Sequence, residues 1–236
     1  MHTIPLINLL YMLAPLSIVA FIYYKWIGKK TEIIQATLRM SVQLIVIGYV
    51  LTSLFKTNAT WLLALLIAIM ITTASLITRR NLRNQGLSLF WIILVSIAVG
   101  GTLNLVFVLW GVLSLDNPLE PRFVIPLAGM IYANAMNAVS LAAERYEKER
   151  EHHPYEKARA IAFKAAMMPQ INQFLAVGLV SLPGMMTGQI LSGVDPLIAV
   201  RYQIVVMGMI LSSGAMSNMI YLLYMTCNEP SSTLSS

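Results

Sequence analysis

The sequence predicts an all-α protein, a polytopic bundle of about seven transmembrane helices with the N-terminus outside and the C-terminus in the cytoplasm. Three observations predict this fold. Of the 236 residues, 58% are hydrophobic and 11% are charged, whereas soluble domains carry about 25% charged residues. Apolar stretches as long as a transmembrane helix alternate with polar connections. Most Lys and Arg residues lie in three of those connections.

Seven apolar windows are long enough to cross a hydrocarbon core of about 30 Å at about 1.5 Å per residue. The first is predicted to be a retained helix, because no small-residue pattern closes it as in a cleaved signal peptide. The windows make one transmembrane domain, residues 1–226, and a short polar tail, residues 227–236, follows. The windows are approximately 5–24, 33–55, 60–78, 88–110, 123–143, 168–189 and 202–226.

The basic residues give the predicted orientation. Twelve of the sixteen Lys and Arg residues lie in the segments 25–32, 79–85 and 144–168. Cytoplasmic connections of membrane proteins carry an excess of Lys and Arg, so we expect these segments to face the cytoplasm. The net charge of +6 thus has a topological explanation, and the sequence favours the lipid bilayer and no nucleic acid as a partner.

A polar stripe in the second window is a candidate functional feature. Gln35, Arg39 and Gln43 are spaced four apart and share one helix face. Two interpretations are open. Either the long side chain of Arg39 reaches the membrane interface, or the stripe forms a buried polar contact or an aqueous path, because a polar face toward lipid is costly.

The sequence also argues against two energy sources for this chain. No Asp or Glu lies within the windows, which argues against a proton-coupled carrier. The sequence has no phosphate-binding P-loop motif, so the chain is not predicted to hydrolyse ATP by itself. No pair of catalytic groups stands at a plausible spacing within the windows, and a membrane enzyme is therefore not favoured.

Uncharged polar residues are the other candidates. Asn134 and Asn137 are three apart on one face of the fifth window, where they either link helices by hydrogen bonds or line a substrate path. Asn172 and Gln173 lie near the start of the sixth window, and Asn218 lies in the seventh.

The segment 183–188 combines three signals. Gly184 and Gly188 are four apart and permit close helix contact, while Pro183 before them suggests a broken or re-entrant segment near the outer surface. Met185 and Met186 carry thioethers that suit Cu(I), although methionine is also ordinary apolar filler. The alternatives are a gate and simple packing.

The connection 144–167 is predicted to form one or more short amphipathic helices in the cytoplasm, with Pro154 in a first turn. It is either a solvated connection or a docking element for a cytosolic partner. The pair His152 and His153 is predicted to be exposed, because every third ligand at helical spacing is equally explained as a surface Glu, and no metal site is predicted. The single cysteine, Cys227, excludes an intramolecular disulfide.

Three motifs carry a resemblance to a known family. The stretch LVSLPGMMTGQILSGVDPLIAVRYQIVVM at 179–207 resembles the signature of the FetB-type iron-export ABC permeases, whose plant relatives are linked to aluminium tolerance. RMSVQLIVIGYVL at 39–51 and VIPLAGMIYANAM at 124–136 match in the same order. One departure is the sequence EREHHP at 149–154, where relatives often carry a Leu-Gly-Ala-Thr/Ser-Pro turn.

The resemblance implies the membrane half of an ATP-driven exporter in the cell membrane. Its partner is a separate cytosolic ABC-type ATPase that binds ATP and Mg, and two permease chains join two ATPase chains. Iron prefers oxygen and nitrogen ligands such as carboxylate and imidazole, whereas the windows offer amides, hydroxyls and thioethers. Either iron crosses as a complex or another species is exported.

Two sets of residues follow as hypotheses, and two other classes of protein remain alternatives. The alternatives are an ATPase-independent secondary carrier or channel and a non-transporting membrane scaffold. The candidate transport path or gate comprises Arg39, Gln43, Asn134, Asn137, Pro183, Gly184, Met185, Met186 and Gly188, and the candidate ATPase contact comprises Lys148, Arg150, Lys157 and Arg159.

Overall fold

The computed structural model describes residues 5–28, 31–57, 60–80, 82–83, 86–114 and 117–227. Helices make up the regular structure of these ranges, together with one isolated β-bridge between Val177 and Ser181. The prediction of an all-α membrane protein is confirmed. The chain divides into two compact units, residues 1–58 and 59–236, and each is described by itself.

The first unit contains two long apolar helical runs. The first run joins α1 (Leu6–Leu9), a 3₁₀ turn (Leu10–Met12) and α2 (Leu13–Ile27), and it ends at Gly28. Gly28 has a φ of 78°, the left-handed conformation that commonly closes a helix. The second run is α3 (Glu32–Thr57).

The second unit is a bundle built around its last helix. Its elements are α4 (Thr60–Arg80), α5 (Leu87–Val106), a π-helical turn (Phe107–Val112), α6 (Pro121–Arg150), α7 (Tyr155–Ala176), α8 (Gly184–Leu191) and α9 (Pro196–Cys227). Helix α9 packs against α5, α6, α7 and α8, while α4 packs against α5 and α6. The core therefore lies where α5, α6 and α9 meet.

Small residues let these helices approach closely. Gly100 of α5 faces Ser217 of α9, and a Cβ at Gly100 would lie 2.7 Å from the backbone nitrogen of Ser217. Gly101 faces the ring of Tyr132 on α6, and the Tyr132 hydroxyl lies 2.9 Å from Thr102 Oγ1. Lipid supplies no hydrophobic drive between helices, so such close packing carries much of the stability of a membrane bundle.

Six described helical segments are long and apolar enough to span a membrane. The predicted sixth window, 168–189, is wrong as one continuous helix. Helix α7 begins earlier, at Tyr155, and ends at Ala176, and α8 begins only at Gly184. Gly178, with a φ of 87°, lies in the break, and Pro183 directly precedes α8. Proline has no N–H and disfavours helix at the residue before it, so a helix cannot run through this position without loss.

The break that Pro183 suggests is therefore confirmed, and seven continuous spans are not found among the described helices. The orientation of the helices stays a prediction, as do the predicted domain limits of 1–226 and 227–236.

The connection 144–167 differs from the prediction. It is helical, but α6 continues to Arg150 and α7 begins at Tyr155, so it consists of the ends of two long helices and not of separate short ones. Residues 151–154 join them, and Pro154 stands directly before the first turn of α7. Residues 144–164 comprise this turn and the helix ends on either side of it, and we name them the charged hairpin. Ala158 and Ala162 are buried in it, which explains the small residues at helical spacing.

Candidate functional site

A cleft lined by side-chain amides lies between α6 and α7. Asn134 and Asn137 contribute from α6, and Gln170 and Gln173 contribute from α7. The cleft has a volume of about 220 Å³. Both pairs are spaced by three residues, so each pair lies on one face of its helix, and the two helices pack against each other. The structure thus joins two predicted path residues to two amides on the neighbouring helix.

Small and proline residues complete the amide cleft. Ala138 and Ala166 are buried beside it, and Pro169 lines it from inside α7. Because Pro169 has no N–H, the carbonyl oxygen of Ala165 loses its usual helical donor at this level. The cleft therefore lies where the backbone of α7 is also less completely hydrogen-bonded than in a regular helix.

The hydrogen bonds separate the two interpretations of the asparagines in the bundle. Asn104 Nδ2 of α5 donates to Ser212 Oγ of α9, so this amide links two helices. Asn134 Nδ2 instead donates to the carbonyl oxygen of Met130 in its own helix, at 2.8 Å. Within the described ranges neither Asn134 nor Asn137 hydrogen-bonds another helix. The linking interpretation thus fits Asn104, while the two amides of the cleft keep hydrogen-bonding groups for a ligand.

Gln170 forms the buried part of the amide cleft. Its side chain is 7% exposed, and its Oε1 has no hydrogen-bond partner in the part of the chain that the structure describes. The side chain lies against Gly214 of α9, where a Cβ would come within 2.7 Å of Oε1 and 2.9 Å of Cδ. Gly214 therefore determines where the Gln170 amide can stand. An unpaired buried acceptor costs about 1–3 kcal/mol, so this arrangement favours any ligand that donates a hydrogen bond.

Sequence reasoning did not single out Gln170 or Gly214. The spacing of three between Gln170 and Gln173 was a signal that could have found the first. The second could not be found locally, because it acts through a contact between two helices that are far apart in the sequence.

The chemistry of the amide cleft is neutral. Amides both donate and accept hydrogen bonds and carry no charge. Among the described residues, no group of three or more His, Cys, Asp and Glu could hold a metal ion. The cleft therefore suits a polar, hydrated or complexed species better than a bare metal ion, for which carboxylate and imidazole are the usual oxygen and nitrogen ligands.

The predicted gate residues 183–188 lie at the helix break and do not line the amide cleft. A largely apolar cavity of about 280 Å³ is lined there by Pro183 and Met186, together with Met207 and Gln203 of α9. Gln203 is 5% exposed, and its Oε1 has no partner among the described residues. This cavity brings together two thioethers and one amide in apolar surroundings.

The other predicted gate residues do not line this cavity. A Cβ built at Gly184 or Gly188 would meet nothing within 4 Å. Within the described chain these two glycines therefore make no close helix contact of the kind that their spacing predicts. Met185 lies beside them in the first turn of α8 and is partly buried.

Arg39 and Gln43 lie on α3, in the first unit, and their side chains are exposed, as is that of Gln35. Neither Arg39 nor Gln43 makes a side-chain hydrogen bond or ion pair with a described residue. The structure does not choose between the two interpretations of this polar stripe.

The four predicted ATPase-contact residues all lie on the charged hairpin, and we name them the hairpin cations. Lys148 Nζ lies 2.7 Å from Glu144 Oε1 in its own helix. Arg159 Nη1 donates to the hydroxyl of Tyr155 at 2.6 Å, and the guanidinium lies 5.1 Å from the centroid of that ring. Both interactions are local and exposed or partly exposed, and such pairs contribute about 0–1 kcal/mol.

The remaining two hairpin cations, Arg150 and Lys157, differ from each other in their contacts. Arg150 Nη1 donates to the carbonyl oxygen of His153 at 2.9 Å and so supports the turn. Lys157 is exposed and has no side-chain partner among the described residues. Glu151 of the charged hairpin lies 2.5 Å from Arg83, which is outside the hairpin in the connection between α4 and α5. The hairpin is thus an ordered surface that carries both charge signs.

Comparisons with known proteins place the chain in a family. The family model described as "Uncharacterised protein family (UPF0014)" matches residues 6–160 and 150–228. The chain belongs to the UPF0014 family. It is 34% identical over 215 residues to the UPF0014 membrane protein slr1647 of Synechocystis, covering 84% of this chain and 83% of the relative. Together with the apolar helices, membership shows that this UPF0014 protein is a multi-pass membrane protein.

Two further relatives carry descriptive names. "Probable iron export permease protein FetB" of Escherichia coli is 34% identical over 213 residues, covering 82% of this chain and 80% of the relative. "Protein ALUMINUM SENSITIVE 3" of Arabidopsis thaliana is 30% identical over 220 residues, covering 83% of this chain and 76% of the relative. The predicted resemblance to the FetB-type permeases and their plant relatives is confirmed. No solved structure matches the chain.

Proposed function

We propose that this UPF0014 protein is the membrane-spanning permease subunit of an ATP-driven exporter in the cell membrane, and that it exports iron or another metal species. One observation carries the proposal, the similarity over four fifths of the chain to a protein named as an iron export permease. Energy comes from a separate cytosolic ATPase with bound ATP and Mg²⁺, since the sequence has no P-loop motif of its own.

The amide cleft is the part of the transport path that this proposal assigns. It lies on two helices of the bundle, and it holds a buried acceptor, Gln170 Oε1, without a protein partner in the described chain. Neutral amides replace part of the hydration of a metal complex without holding it as tightly as carboxylates would. A transport site must release its cargo, so weak and reversible hydrogen bonding suits this role.

The charged hairpin is the proposed ATPase-binding element. It joins α6 to α7, the same two helices that line the amide cleft. Of the hairpin cations, Lys157 is free of described partners, while Lys148 and Arg159 have only local ones. Little free energy is lost when such exposed pairs exchange partners, so these side chains are available to acidic groups of an ATPase.

The test is purification of the tagged chain from its native membrane in mild detergent, with its partners identified by mass spectrometry. A P-loop ATPase in a stoichiometric amount is the expected result. Its reproducible absence would contradict the proposal and favour a secondary carrier, a channel or a scaffold.

A second test addresses the cargo. Deletion of the gene should raise cell-associated iron under iron load, and the wild-type chain should restore it. Unchanged contents of iron, copper, manganese and zinc would reject metal export while leaving the ATPase question to the first experiment.

A further inference from the structure

Four side chains with lone pairs lie on α8 and α9, the two helices that follow the break. Met186 and Gln189 are three apart on α8, and Gln203 and Met207 are four apart on α9. Residues at these spacings share one face of a helix. The two helices pack against each other, and Met186, Gln203 and Met207 line one cavity of about 280 Å³. The break thus brings two thioethers and one amide to a single cavity, with a second amide on the same face of α8.

The turns at both ends of α8 hold it in this position. The backbone N–H and Oγ1 of Thr187 donate to the carbonyl oxygen of Pro183, at 3.0 and 3.1 Å. At the other end, the N–H of Gly193 donates to the carbonyl oxygen of Ile190 at 2.9 Å, and Gly193 has a φ of 90°. Glycine adopts this conformation readily, so the chain can turn from α8 into α9 within a few residues. The four side chains are therefore carried by two helices that a short turn joins.

Both amides have an unused hydrogen-bond acceptor. Gln203 is 5% exposed, and the Oε1 atoms of Gln203 and Gln189 are buried without a hydrogen-bond partner among the described residues. Buried polar groups are nearly always paired, because burial without a partner is unfavourable. A ligand that accepts lone pairs or donates a hydrogen bond would satisfy these oxygens. The ligand is therefore a cation or a hydrogen-bond donor.

The methionines decide between these two kinds of ligand. Met207 is 6% exposed, and Met186 is partly buried. A thioether sulfur is a weak hydrogen-bond acceptor, but it is a soft ligand that selects Cu(I). No carboxylate or imidazole lines the cavity, so it lacks the usual ligands of harder divalent metals. A single positive charge also costs less to bury in apolar surroundings than two. The cavity therefore fits a soft monovalent ion.

We propose that α8 and α9 bind a soft monovalent metal ion, Cu(I) or Ag(I), through the thioether sulfurs of Met186 and Met207 and the amide oxygen of Gln203. Gln189 stands next to this set as a second oxygen donor on α8. The ion keeps its oxidation state, because every ligand is neutral and no redox partner is involved. The site goes beyond the proposed function, since binding here needs neither an ATPase nor iron.

Titration of the full chain with Ag(I) tests the site. The chain is purified in mild detergent as Cys227→Ser, because a cysteine thiolate would itself bind a soft metal. Calorimetry in a nitrate buffer free of chloride and thiols gives the dissociation constant and the stoichiometry, and one ion per chain is expected. Met186→Leu and Met207→Leu should each weaken binding by roughly tenfold or more. Leucine is close to methionine in volume, so the packing of both helices is kept.

Two neighbouring methionines provide matched controls. Met185 precedes Met186 on α8, and Met209, 2% exposed, lies two residues after Met207 on α9. Neither lines the cavity, so Met185→Leu and Met209→Leu should bind Ag(I) within about twofold of the parent chain. Gln203→Met replaces the amide by a third thioether and should tighten binding several-fold. Damage to the fold cannot produce such a gain.

Several results would overturn the proposal. These are the lack of saturable Ag(I) binding in the parent chain, an unchanged affinity after both cavity methionines become leucine, and an equal loss in the control variants. X-ray absorption of the bound ion should show sulfur neighbours, and oxygen neighbours alone would also overturn it. The titration contains no ATPase, nucleotide or iron, so its outcome is separate from the tests of the proposed function.

Discussion

The contact between Gly100 and Ser217 gives the most direct test of the packing of the second unit. In Gly100→Ala the new Cβ would lie 2.7 Å from the backbone nitrogen and 2.9 Å from the Cα of Ser217. Real Cβ atoms essentially never come within 3.0 Å of another heavy atom. Because the atoms in conflict belong to the backbone of α9, a rotamer change cannot relieve the overlap, and α5 must move away from α9.

Two opposing effects determine how much the free energy of unfolding changes. Overpacking costs about 1–3 kcal/mol, and the upper end applies because backbone must shift. Alanine is favoured over glycine inside a helix by about 1 kcal/mol. The free energy of unfolding should therefore fall by about 2 kcal/mol in Gly100→Ala.

The assay is unfolding in mixed micelles with rising dodecyl sulfate, followed by the fluorescence of the tryptophans, of which Trp91 lies on α5. Gly208→Ala is the matched control, because a Cβ there meets nothing within 4 Å. This control should gain up to about 1 kcal/mol. An equal loss in both variants, or no loss in Gly100→Ala, would refute the close contact. Ser217→Gly should restore little of the loss, since the backbone atoms in conflict remain.

Four further predictions concern function. Gly214→Ala should displace the amide of Gln170 and impair export, which would be measured as higher cell-associated iron. The free energy of unfolding should fall by only about 1 kcal/mol, because the Gln170 side chain can move aside. Reversal of all four hairpin cations to Glu should reduce co-purification of the ATPase, because the charge that faces its acidic groups is inverted. A cysteine in place of Met186, in a chain without Cys227, should react with an external thiol reagent at a rate that depends on nucleotide. Asn134→Leu should impair export, because it removes one amide of the cleft.

Each of these has its own contradicting result. Normal export in Gly214→Ala would show that the position of the Gln170 amide is immaterial. Undiminished ATPase binding after all four reversals would exclude the charged hairpin, and Arg201→Glu, a reversal on α9 outside the hairpin, serves as the control. Labelling at a constant rate would leave only packing at Met186. A wild-type phenotype for Asn134→Leu would favour a scaffold.

The helices of the bundle were predictable because a helix surrounded by lipid must be apolar along its length, and hydropathy measures this property directly. Windows such as 60–78 and 88–110 agree with α4 and α5 to within a few residues at the start. The window 168–189 failed because average hydropathy does not register where a helix ends: the apolar residues continue through Gly178, although the backbone turns there. The signal of the break was Pro183, a conformational signal and not an apolar one.

The candidate site was predictable only in part, for a similar reason. Asn134 and Asn137 could be recognised because their spacing of three places two amides on one face of an apolar window. That their face meets Gln170 and Gln173 depends on how α6 and α7 pack, and the position of Gln170 depends on Gly214, which is 44 residues away along the chain. Helical spacing gives the face of one helix, but it does not give the residue opposite.

Helices α6 and α7 carry both the charged hairpin and the amide cleft, so the two features are connected by continuous helix. From Asn137 to Arg150 α6 runs for about 20 Å, and from Tyr155 to Gln173 α7 runs for about 27 Å, with no break in either helix. In the proposed function, a force that an ATPase applied to the hairpin would reach the cleft through these two helices. Pro169 is the one proline on these two stretches of helix, and helices bend most readily at proline, so a bend of α7 there would change the space between the amides.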